Sequence, residues 1–94
     1  MYVRVVRFED VTPDRIERLV GRLDEAEGPP PGVNSTGIQL LHDAEHGTAI
    51  AVQLFETADD MRAGGAVMAA MDPADTPGRR VSVDECELVA DRHM

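Results

Sequence analysis

The run Gly28-Pro29-Pro30-Pro31-Gly32 constrains this chain more than any other stretch. Proline lacks the amide donor and clashes with the preceding turn, so a helix that reaches Glu27 must stop there. The run reads as a stiff connector of polyproline type, too short for an SH3-like ligand. What lies on either side of it must fold as separate elements.

On the N-terminal side, Tyr2 to Phe8 (YVRVVRF) is rich in β-branched and aromatic residues and predicts a strand. Thr12-Pro13-Asp14 then supplies a hydroxyl at N-cap, a proline at N1 and an acid in the first turn of a helix. Ile16, Leu19, Val20 and Leu23 follow at helical spacing and make one apolar stripe. On the C-terminal side, Thr36 to His42 and Thr48 to Glu56 predict two strands, joined as a hairpin by a loop ending in Gly47. Thr57-Ala58-Asp59-Asp60 opens a second helix running to about Met71, softened by Gly64-Gly65 at about 1 kcal/mol per glycine relative to alanine. A second Pro/Gly loop spans Asp72 to Gly78, and Val81 to Ala90 alternates as a fourth strand.

The order β-α-β-β-α-β with right-handed crossovers predicts an α+β, ferredoxin-like domain over residues 1–94: a four-stranded antiparallel sheet with two helices on one face. Two helices cover only one face. The aliphatic sets Val3 and Val5, and Ile50, Val52 and Leu54, are assigned to the helices. The other face then carries Tyr2, Val6, Phe8, Leu41, Ala51 and Phe55, too apolar to stand in water, which predicts a homodimer.

Composition narrows the function. Without lysine there is no Schiff-base chemistry and no P-loop. A net charge of −9 opposes nucleic acid and anionic membrane, and neither is expected as a partner. No apolar run suits a signal peptide or a membrane span, and the single Cys86 excludes an internal disulfide, so a cytoplasmic location is expected. Cys86 itself reads as a small core filler. His42 and His46 flank a hairpin turn whose spacing does not converge on a metal, and no metal is expected. Asp84, Glu85 and Glu87 read as a solvated strand face, and Asn34 as a turn residue beside the proline run. Met61, Val67, Met68 and Met71 read as core, the methionines next to glycines making an adaptable cavity wall. One constellation stands above these: Arg4, Gln39 and Gln53 with Tyr2, Phe8 and Phe55, all placed on the face away from the helices. A cation and two amides among aromatics suit an anion or a carbonyl-rich ring compound, with Asp84 as an alternative, internal partner for Arg4.

The opening Met1-Tyr2-Val3-Arg4-Val5-Val6-Arg7-Phe8 and the run Val52-Gln53-Leu54-Phe55-Glu56-Thr57-Ala58-Asp59-Asp60-Met61-Arg62-Ala63 resemble the dimeric α/β-barrel superfamily, in particular small antibiotic-biosynthesis-monooxygenase-like domains. The resemblance implies a homodimer whose sheets enclose a barrel, and a cavity between sheet and helices for a polycyclic or other small organic molecule. Cofactor-free oxygenases of this family rely on Asn, Trp, Tyr or His in that cavity; here Phe55 stands at the strand-end tryptophan position. The haem-degrading branch uses an Asn on the first strand and a His on the second helix. This chain has Arg4 and Arg7 on the one and no His from Met61 to Met71 on the other, so no haem and no other cofactor is expected. Two functions follow: a cofactor-independent monooxygenase or related tailoring enzyme with no assigned catalytic residue, or a non-catalytic ligand-binding or structural homodimer. Of side chains able to move a proton, the reading offers Tyr2, Asp84 and His93.

Overall fold

A computed structural model describes residues 1–72 and 75–94; the middle of the loop predicted over Asp72 to Gly78 lies outside the described residues. The elements are β1 (Tyr2–Glu9), α1 (Pro13–Glu25), β2 (Gly37–Asp43), β3 (Thr48–Phe55), α2 (Ala58–Ala69) and β4 (Arg79–Glu87). All strand pairs are antiparallel and the sheet order is β2-β3-β1-β4, the ferredoxin-like topology expected from the sequence.

Local chemistry sets the element ends. The Thr12 hydroxyl accepts from the Arg15 amide at 3.3 Å and Pro13 opens α1, while the Thr57 hydroxyl accepts from the Asp60 amide at 3.0 Å and caps α2. After α1 the proline run bends: the Val33 amide bonds the Pro30 carbonyl at 3.0 Å across Pro31 and Gly32. Gly32 has φ +83°, the left-handed conformation that follows proline in a type II turn. Gly47 closes the β2–β3 hairpin at φ +64°.

The two faces of the sheet are the reverse of the sequence expectation. Tyr2, Arg4, Val6 and Phe8 of β1, paired with Phe55, Gln53, Ala51 and Ala49 of β3, turn toward the helices. They feed two cores, one of Val6, Phe8, Val11 and Ala49, the other of Val33, Phe55 and Met61 with Tyr2 packed against it. The reason lies in what α2 presents. Its Gly64 sits on the Phe55 ring, where an added Cβ would come within 2.8 Å of the ring carbon, and its Gly65 sits over the Arg4 side chain, 3.1 Å from Nε. A helix that offers glycine takes the bulky side of the sheet, and Phe55 is fully buried there. The aliphatic set Val3, Val5, Ile50, Val52 and Leu54 occupies the other face, which this chain's helices leave uncovered; Leu41, paired with Ile50, is 52% exposed on it. Cys86, expected in a core, pairs with Val3 on that same open face and is exposed.

Candidate ligand cavity

α2 packs closely on β1 and β3, but α1 buries none of its residues. Its apolar stripe is well formed, and yet it stands off the sheet. Between them lies a cavity of about 620 Å³, within the range of small-molecule sites. Arg4, Val6 and Phe8 of β1 and Ala51 and Gln53 of β3 form its floor, extended by Ile38 and Leu40 of β2. Leu19, Arg22 and Leu23 of α1 roof it. Pro29, Pro30 and Val33 close one side, and Met68 and Met71, with Asp75 and Arg80, close the other.

The polar centre of the floor is Arg4 with Gln53, each only 4% exposed. The two face each other across the β1–β3 pair, and the guanidinium Nη1 donates to Gln53 Oε1 at 3.2 Å. Among the described residues no carboxylate lies within 4 Å of this guanidinium, and the acid opposite it on β4 is Glu85. Burial holds the Arg4 pKa below the ordinary arginine value; the like charge of Arg80 acts in the same direction and Glu85 opposes both. Among the described residues the one buried side-chain polar atom without a partner is His42 Nε2, so the remaining donors of Arg4 are not walled in. They open into the cavity that Arg4 lines.

Of the six residues singled out in the sequence, the structure brings Arg4, Gln53 and Phe8 to one wall. Tyr2 and Phe55 share their face but pack into the second core. Gln39 is a correction: β2 starts its pairing with Gly37 opposite Leu54, so Gln39 falls opposite Val52 on the open face and is exposed. Asp84 is another, since it pairs with Val5 on the open face and cannot meet Arg4 through the sheet. His46 Nδ1 lies 2.8 Å from Asp43 Oδ2 in the hairpin turn, whereas His42 sits on the helix side of β2 opposite Ala49. Arg80 was missed. Period-two alternation places it on the open face, but β4 shifts register between the partners of Arg7 and Phe8: Ser82 pairs with Arg7 and Arg80 with Phe8. Val81 is the extra residue of a β-bulge, and the bulge carries Arg80 to the cavity side.

The architecture has solved counterparts. A point mutant of MhuD with two manganese protoporphyrin IX molecules bound per active site is similar over 100% of both chains, with a TM-score of 0.65 and 21% identity. The fold is therefore the ferredoxin-like one of that structure. A protein assigned as an antibiotic biosynthesis monooxygenase from Chloroflexus aurantiacus J-10-fl carries the same fold, with a TM-score of 0.59, 13% identity and coverage of 98% of this chain and 96% of that one. No protein-family model and no curated protein matches the sequence. Among the described residues no helix is long and apolar enough to cross a membrane.

Proposed function

We propose that this protein binds a small ring compound in the cavity between sheet and helices, with Arg4 as the donor to an anionic or developing-anionic oxygen, and that it does so as a homodimer. The observation that carries the reading is Arg4 itself: a buried guanidinium with one neutral partner, Gln53, opening into an otherwise mostly apolar cavity of about 620 Å³. A guanidinium held this way is costly without an anion, and apolar walls suit a ring rather than a hydrated ion.

The antibiotic-biosynthesis-monooxygenase fold supports an oxygenase as the activity. In a cofactor-independent reaction the substrate provides the electrons. Its acidic CH₂ ionises, the carbanion adds dioxygen, and the peroxide loses water to leave a carbonyl, so that one oxygen atom enters the product and the other leaves as water. Arg4 would stabilise the enolate oxygen in a water-poor site. The described cavity lining holds no His, Tyr or Cys, and its carboxylate, Asp75, is held by Arg22 at 2.7 Å. The substrate must therefore ionise with cationic help and no free base from the described lining, which restricts it to compounds already acidic. The same lining tests the porphyrin seen in the MhuD mutant: it offers no histidine, cysteine or tyrosine to an iron, so these residues do not fit a haem held by such a ligand.

The engagement of that one carboxylate by Arg22 also favours the second reading, a ligand-binding homodimer without chemistry. A thermal-shift screen of aromatic and polycyclic acids beside their neutral isosteres tests the binding, and an oxygen electrode tests the chemistry. Binding acids should raise the melting temperature more than their isosteres. Oxygen uptake with a bound acid selects the oxygenase, and binding without uptake selects the second reading. A melting temperature that no compound moves would remove both.

A further inference from the structure

Three arginines line the cavity, and they are not equivalent. Arg22 is neutralised at the rim by Asp75. Arg4 meets a neutral amide. Arg80 donates one bond, 3.3 Å to the Met68 carbonyl near the C-terminal end of α2, and among the described residues has no carboxylate within 4 Å. Arg80 reaches the cavity only because Val81 is bulged out of the β1–β4 ladder, a local break in pairing that re-aims one side chain. The result is two guanidiniums lining the same cavity, neither with a carboxylate within 4 Å among the described residues, in a chain whose net charge is −9. Glu85 offsets part of the charge on Arg4 but lies outside the cavity lining, next to Gly65. Free acids abound on this chain, yet the described lining includes only Asp75, and that one is already engaged.

We infer that Arg80 is a second anion-binding residue of the cavity, and that the ligand is an acid whose charged group lies between Arg4 and Arg80. This rests on the ligand reading above and narrows it: the anionic group points to the β1–β4 side of the floor, and the ring extends over Val6, Phe8 and Ala51 toward α1. The carboxylate gives each guanidinium a charge-assisted hydrogen bond that it lacks in the free protein. Arg80 then sets the preference for acids over neutral molecules of the same shape.

The test is a calorimetric titration of the full chain with naphthoate and with naphthamide. Four proteins are compared: the parent, Arg80→Gln, Arg4→Met and the double variant. Arg80 is exposed and its substitution should leave the melting temperature of the free protein unchanged; Arg80→Lys keeps the charge and serves as the second variant. Arg80→Gln should weaken naphthoate about tenfold or more, the loss expected for a hydrogen bond to a charged group, and leave naphthamide unmoved. Arg80→Lys should retain most of the acid preference. The losses of the two single variants should exceed the loss of the double variant, because both contact one group. Equal loss for acid and amide would show Arg80 to be packing only and overturn the inference, as would no loss for either. Strict additivity would overturn the shared group. If neither compound binds the parent, the ligand reading falls and takes this inference with it.

Discussion

At Arg4 a single side chain joins fold and function. It enters the helix side of the sheet because Gly65 leaves room above it, and it stays charged there with Gln53 as its hydrogen-bonded neighbour. Arg4→Met keeps the apolar stem and removes the charge. We expect a melting temperature unchanged or raised, and acidic ring compounds bound more weakly by roughly 2 to 5 kcal/mol. If Arg4 were instead a structural partner of Glu85, the melting temperature would fall and ligand affinity would be untouched. The glycines of the two helices behave oppositely. An added Cβ at Gly64 meets Phe55 at 2.8 Å, and at Gly21 it meets nothing within 4 Å. Gly21→Ala should therefore stabilise by about 1 kcal/mol through helix propensity. Gly64→Ala should destabilise, because overpacking a filled site costs about 1 to 3 kcal/mol. Chemical denaturation of both variants checks the signs.

At the scale of elements, α1 is the unusual one. It has a sound N-cap and a proper apolar stripe, but while Ile16 packs against the first core, Leu19 and Leu23 roof a cavity. Tethers reach it from the loop before β4: the Arg22–Asp75 pair at 2.7 Å, and Arg15 Nη2 donating to the Thr76 carbonyl at 2.7 Å. The β2–β3 hairpin is a separate, local case. His46 bonds the Asp43 carboxylate through its ring and its backbone amide, which holds the Asp43 pKa below the ordinary 3.8; the ring contact is the larger cause. A depressed carboxylate pKa stabilises the fold fully above its unfolded value, and that contribution is lost as the pH falls through the folded value. The window thus lies in acid, below pH 3.8. An NMR titration of the Asp43 side-chain carbon should give a midpoint below that of an unfolded Asp, and His46→Ala should raise it.

For the whole molecule the open sheet face is the deciding surface. Val3, Val5, Ile50, Val52 and Leu54 form a patch that neither helix covers among the described residues, and a domain of this size has little other core to draw on. Packing two such faces together completes the dimer proposed above. Sedimentation velocity should give twice the 10.2 kDa chain mass at micromolar concentration. Val52→Glu, at the centre of the patch opposite Val5 and Gln39, should leave a folded protein of single-chain mass. A wild-type protein that sediments as one chain would remove the dimer and leave the cavity argument standing.

Element order was legible from the chain alone because each signal is local. Thr12-Pro13 and Thr57 start helices wherever they occur, the proline run ends one, and β-branched alternation makes strands whose partners follow from short connections. Arg4, Phe8 and Gln53 were likewise legible as one face, since pairing preserves parity. Which face the helices take was not. Both faces of β1 and β3 are apolar, so alternation is symmetric between them, and the choice fell to the glycines of α2, whose missing side chains matter only once the helix is packed. Gln39 failed because parity across an edge strand depends on where pairing begins, and Arg80 because one bulged residue reverses the parity of everything beyond it. Sequence determined what the pieces are and where they end; only tertiary packing decided what they face, because facing is a property of register and contact between segments far apart in the chain.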